Sequence, residues 1–127
     1  MKPDNSMLQL VATCHCGAVQ ISVPAMPEFV VECNCSICRR NGARWAFYRA
    51  DMVQMVGHPE HSTQYLWGAR SICTMHCKIC GCATHWETIN GGPADRVGVN
   101  SRLFDPELLE GIRIRHFDGA DSWTYVD

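Results

Sequence analysis

Eight of the nine cysteines in this 127-residue chain stand in tight groups: "CHCG" (Cys14, Cys16), "CNCSIC" (Cys33, Cys35, Cys38) and "CKICGC" (Cys77, Cys80, Cys82), with Cys73 alone. Residues two apart on a strand face the same way, so each CxC can present two sulfurs to one ion. A CxxC on a tight turn does the same, and a following glycine lets the backbone pass close behind the metal. Pairing "CHCG" with "CKICG" yields four thiolates, Cys14, Cys16, Cys77 and Cys80, the closed tetrahedral set of a structural zinc. Spacing alone leaves open that Cys82 takes the place of Cys80. The remaining triplet has one ligand too few for a closed site, and a vacancy is what distinguishes a catalytic zinc. Cys38 falls in the first turn of a short predicted helix, whose positive end favours a thiolate there.

A sulfur-rich zinc is a soft centre, so a thiol suits its free position better than a hard oxygen ligand does. That points to a thiol held as thiolate and able to attack a small electrophile. Other arrangements of the triplet fit the sequence too. A fourth protein donor (Cys73, Cys82 or a histidine) could close it, it could be a metal-free reactive set, or it could be part of an iron–sulfur site. Cys73 and Cys82 read more simply as buried small apolar residues. Arg39 and Arg40 follow the triplet and could hold a substrate carboxylate, or form a solvated helix face. Asn41 adjoins them, and Trp45 reads as core. Asn100 and Arg102 precede a turn and are either substrate contacts or turn-formers. His15 is expected to point away from its neighbouring cysteines. His58 and His61 flank Pro59 and are expected at the surface, whereas His85 and His116 read as sheet residues.

The bulk properties fit a metal reading better than disulfides. The cysteine count is odd, the spacings are those of metal sites, and the N-terminal stretch has no apolar h-region, so a cytoplasmic protein is expected. The formal net charge of -2 argues against a nucleic-acid partner, and no apolar run suits a membrane span. The length suits one domain, 1–127.

The elements that must position these groups are mostly strands, because turn signals recur every ~8–12 residues. "MLQLVAT" and "AVQISV" read as a hairpin around "CHCG", and "FVVEC" leads into the triplet. "RWAFYRADMVQMVG" reads as one or two strands; "TQYLWG" and "SICTMHC" read as a pair; "ATHWETI", "RVGVNSRLF" and "IRIRHFDGA" add three more. Two short helices are predicted. One is capped by Ser36 and stopped by Gly42; the other runs about two turns from Asp105 and Pro106 to Gly111. Exposed edge strands would allow a homodimer.

"CHCGAV", "CNCSICRRNG" and "HCKICGCATHW", in that order, closely resemble the glutathione-dependent formaldehyde-activating enzyme family, which includes S-(hydroxymethyl)glutathione synthase-like and centromere protein V-like proteins. The tail from "VGVNSRLFDPELL" to "IRIRHFDGADSW" is similar as well. One departure is His76, at a position commonly aromatic in the family. The resemblance implies a mostly β, Mss4-like complex fold with short helices, stabilised by zinc. It implies two Zn2+ per chain, one structural on Cys14, Cys16, Cys77 and Cys80, and one catalytic on Cys33, Cys35 and Cys38. The implied activity is that of a carbon–sulfur lyase joining glutathione or a similar thiol to formaldehyde or another small aldehyde. The alternative is a zinc-stabilised binding or carrier module without turnover, and metal stoichiometry would discriminate the two.

Overall fold

The computed structural model describes residues 10–66, 68 and 71–127. Ten strands dominate the described chain: β1 (Val11–Thr13), β2 (Gln20–Ser22), β3 (Phe29–Cys33), β4 (Trp45–Arg49), β5 (Gln54–Val56), β6 (Ser62–Leu66), β7 (Ile72–Cys77), β8 (Ala83–Thr88), β9 (Arg96–Asn100) and β10 (Arg113–Phe117). The mostly β expectation holds. Residues 7–9 of the first predicted strand and Trp67 of the sixth lie outside the described residues.

The strands form two sheets. A small one runs β1-β2-β5, and a large one runs β10-β3-β4-β9-β8-β7-β6. Neighbours are antiparallel except β10 and β3, which run parallel with Cys33 opposite Phe117. Apolar residues at alternate positions bind the sheets together. Ala12, Ile21 and Val23 of the small-sheet segments meet Val97, Val99 and Phe104. Side chains that alternate across a pleat put one face of each strand into such a core. Gly98 is the one residue of β9 that must lack a side chain, because a Cβ there would run into the Trp86 indole across the sheet.

Helix is scarce, as the sequence predicts, with two differences in detail. α1 spans Ser36–Asn41 and ends at Gly42 in the left-handed region, φ 65°, the expected stop. Its N-cap, however, is Cys35 rather than Ser36, and no side chain caps it. The extended Cys35 backbone instead serves to bring its thiol beside Cys33 and Cys38. The second predicted helix is a single 3-10 turn, Pro106–Leu109, shorter than expected. Asp105 does cap it, accepting from the Glu107 amide, but the turn closes at Glu110 before a second α turn can form. No described helix is long and apolar enough to cross a membrane.

Candidate metal centres

The hairpin β1–β2 carries "CHCG" in its turn, and the β7–β8 turn carries "CKICG". Gly17 and Gly81, each at φ 82°, follow the paired cysteines and let both turns fold back tightly. β7 shifts register between Met75 and His76, which re-aims the strand just before Cys77. The sulfurs of Cys14, Cys16, Cys77 and Cys80 thereby converge, all within 4.8 Å of one another. Cys16 Sγ lies 3.7 Å from Cys14 Sγ and 3.6 Å from Cys77 Sγ. A zinc–sulfur bond of ~2.3 Å in a tetrahedron requires sulfurs about 3.8 Å apart, so the donor set fits that ion. The cysteines are free thiols, not disulfides.

Backbone amides point at these sulfurs, as thiolate ligands require. Val19 N donates to Cys14 Sγ at 3.3 Å and Cys80 N donates to Cys77 Sγ at 3.5 Å. The Cys82 amide, against opposing desolvation, lowers Cys80 to about 5. Cys16 carries the opposite shift. Its Ala18 amide bond acts downward, but desolvation and the sulfurs of Cys77, Cys14 and Cys80 outweigh it and push the thiol up to about 12. Four sulfurs this close hold protons back on some of their number until a cation replaces them. Cys82 packs beside the group but is not one of the four convergent sulfurs. His15 is exposed, as expected from its place between two ligand-type cysteines.

The second group is local in sequence. Cys33 ends β3, Cys35 precedes α1, and Cys38 lies in its first turn. Their sulfurs also lie within 4.8 Å of one another, and among the described residues no fourth Cys, His, Asp or Glu donor joins them. Cys73 is buried on β7 and His76 turns its Nε2 toward Asn41 Oδ1 at 3.5 Å. Neither belongs to the triplet. The low-pKa thiol is Cys33 rather than Cys38. A hydrogen bond from Cys38, helped by the backbone amides of Cys35 and Gly119 and opposed by desolvation, brings Cys33 down to about 6. Cys38 moves up correspondingly, through that same bond and desolvation. A six-residue helix exerts less pull than a direct hydrogen bond from the neighbouring thiol.

Two contacts at the triplet escape a reading of spacing. Trp45 is buried, as expected of core, yet its indole N–H also donates to Cys38 Sγ at 3.3 Å. Gly119 passes so near the triplet that a Cβ there would sit 2.5 Å from Cys33 Sγ and 3.3 Å from Cys35 Cβ. The parallel pairing of β10 with β3 brings it there. Asn34 then clamps the approach: it donates to Asp118 Oδ1 and accepts from the Ala120 amide, both at 2.9 Å.

A cleft of about 430 Å3 opens on this side, lined by Cys33, Cys38, Arg39, Glu32, His116 and Asp118 among others. Of the arginines and amides singled out from the sequence, Arg39 reaches it. Arg40 folds back to donate to Ser36 O at 2.9 Å. Asn41 keeps a side-chain nitrogen that is buried without a partner. Asn100 is buried, with its amide donating to Ala83 O and its carbonyl accepting from Arg102 N, and Arg102 donates to Gly42 O and lies near Glu32. Those bonds spend the polar atoms of Asn100 within the fold.

A model of the family "glutathione-dependent formaldehyde-activating enzyme" matches residues 9–112. The chain belongs to that family. Its structure is also similar to the crystal structure of a Rhodobacter sphaeroides protein solved as a structural-genomics target, with a TM-score of 0.67 and 33% identity over 82% of this chain and 98% of the other. Membership in this formaldehyde-activating family covers both cysteine groups, whereas Asp118 and Gly119, which approach the triplet from the tail, lie beyond the matched residues.

Proposed function

We propose that this member of the family joins a thiol, glutathione or a close analogue, to formaldehyde or another small aldehyde, as a zinc-dependent carbon–sulfur lyase. The observation that carries the reading is the triplet: three convergent sulfurs, two of whose residues line a cleft, with no fourth protein donor among the described residues. Cys33, Cys35 and Cys38 would hold a catalytic zinc, while Cys14, Cys16, Cys77 and Cys80 would hold a structural one, two ions per chain. A zinc ion at the triplet supplies a soft Lewis-acidic position that favours the thiolate form of an incoming thiol.

The chain's own residues do the rest. Trp45 N–H and the Gly119 amide donate to Cys38 and Cys33 and favour negative charge there, which in Cys33 prevails and in Cys38 is outweighed by the Cys33 bond and desolvation. Arg39 offers the cleft a guanidinium, suited to a carboxylate of a peptide-like thiol. Asn41 has an unpartnered amide nitrogen, but it is buried and outside the cleft lining, so the side chain would have to turn to meet that substrate. Arg40, Asn100 and Arg102 would act behind these, by fixing α1 and the Glu32 side chain. In the net reaction the thiol sulfur bonds to the aldehyde carbon, the carbonyl π pair becomes a hydroxyl, and the thiol proton ends on that oxygen.

A thiol-dependent aldehyde-consumption assay beside metal analysis tests the proposal. Zinc-dependent consumption that is lost in Cys35→Ser supports it. Consumption at the uncatalysed rate, with one sulfur-held zinc per chain, would leave the binding-module reading in its place.

A further inference from the structure

Three ligand-type side chains meet away from both cysteine groups. His85 and Glu87 are two residues apart on β8 and so share a face. His58 comes from the turn between β5 and β6. That turn is fixed: His61 N donates to Gly57 O and Ser62 N to Pro59 O. Gly57, at φ 80°, has to be glycine because a Cβ would collide with the Ala18 carbonyl. His58 was expected at the surface, but its side chain is only 12% exposed and is drawn in over β8.

The inner nitrogens of both rings converge on one oxygen. His58 Nε2 lies 2.5 Å and His85 Nε2 2.7 Å from Glu87 Oε1, and the rings meet edge to face at 4.7 Å. Each outer nitrogen faces a hydroxyl: His58 Nδ1 to Ser62 Oγ at 2.7 Å, and His85 Nδ1 to Thr84 Oγ1 at 3.0 Å. The Thr84 hydroxyl donates its single proton to Met75 O. Its oxygen is therefore left to accept from His85 Nδ1–H. With Nδ1–H given to Thr84, His85 turns Nε2 to the Glu87 carboxylate at 2.7 Å, so a second proton or a metal ion has to sit between that nitrogen and the oxygen. His85 is fully buried. Imidazole ligands whose outer N–H is held by an oxygen are the usual supporting arrangement of a metal-bound histidine.

We propose that His58, His85 and Glu87 form a third metal site, for a divalent first-row transition cation. Two imidazoles and a carboxylate make a borderline-hard set, distinct from the soft sulfur sites. Metal bonds of about 2.0–2.2 Å put adjacent donors roughly 3–3.5 Å apart, so the rings, now 2.5 and 2.7 Å from Oε1, need to withdraw by up to about 1 Å to admit an ion. Glu87 also lines a hollow of about 330 Å3 together with Asp95 and Arg96, which neither histidine lines. Cys73 stands opposite Glu87 in register but is not within reach of the three donors.

Cobalt(II) titration of the zinc-loaded protein tests this, because cobalt on thiolates has intense sulfur-to-metal charge-transfer absorption and cobalt on nitrogen and oxygen has none. The expected result is one further equivalent bound with weak visible bands and no added near-ultraviolet charge transfer. His58→Ala and Glu87→Gln should each weaken that equivalent at least ~10-fold while the sulfur-held metals stay. The signature identifies this site whether or not the triplet is metallated. No uptake beyond the sulfur sites, a thiolate band with no weak-band equivalent beside it, or a weak-band equivalent unchanged in both variants overturns the proposal. If either variant melts early, the wild-type titration alone decides.

Discussion

The two cysteine groups use the same atom type and similar sulfur spacing, but they sit differently in the chain. The quartet joins turns about sixty residues apart, and two of its members, Cys14 and Cys77, are 2% and 0% exposed. The triplet spans six positions of one strand end and helix start, and all three members are half-buried beside a cleft. A cross-link between distant segments restrains many conformations of the unfolded chain, whereas one within six residues restrains few. With metal bound, the quartet would thus restrain the fold, and the triplet would leave a position for a ligand. Val19 and the register shift in β7 serve the first; Trp45, Asn34 and Gly119 serve the second.

Breaking the quartet should have the largest effect. Cys77→Ser is expected to lower the melting temperature by ~15 °C or more and release one zinc, read by calorimetry and metal analysis. Cys35→Ser should remove thiol-dependent aldehyde consumption while the melting temperature stays within ~3 °C of wild type. Equal destabilisation by the two changes would erase the contrast. A subtler probe is Gly119→Ala, whose methyl would crowd Cys33 Sγ. It should cut activity ~10-fold through the triplet and leave the quartet's zinc in place.

The smallest effect concerns the tail that walls the triplet. His116 Nδ1 is 2.8 Å from Asp127 Oδ2, and its Nε2 is 3.1 Å from Glu32 Oε2. The Asp127 hydrogen bond first, with Glu32 adding to it against desolvation, raises His116 above its ordinary value. A raised folded-state value means the contact contributes fully below pH ~6.5 and is lost as pH rises through the folded value. Trp123, which is exposed and packs edge-on against Phe117 at 5.1 Å, reports the tail. Its fluorescence should change across that window, and His116→Gln should flatten the change.

The cysteine groups were legible in the sequence because their sulfurs come in short-range pairs and triplets whose spacing mirrors strand and turn geometry. The strands were legible from alternation, and Gly42 from its place after α1. What spacing could not carry was contact between distant segments. Nothing about "FDGADS" says that its glycine lies on Cys33; only the parallel β10–β3 pairing does. The same holds for His58, whose environment depends on a turn folding over β8, and for Asn100, whose amide is spent on Ala83 across the fold. Cys35 rather than Ser36 heads α1, and its extended backbone sets its thiol beside Cys33 and Cys38 without a side-chain cap.

The division between the two sulfur groups is tested most directly by a crystal structure of the zinc-loaded protein soaked with glutathione. The account predicts zinc on both groups, with the quartet held by Cys14, Cys16, Cys77 and Cys80 alone and the glutathione sulfur, at about 2.3 Å, completing the set at Cys33, Cys35 and Cys38. A triplet without metal, or one closed by a fourth side chain of the protein in the presence of the thiol, would contradict it.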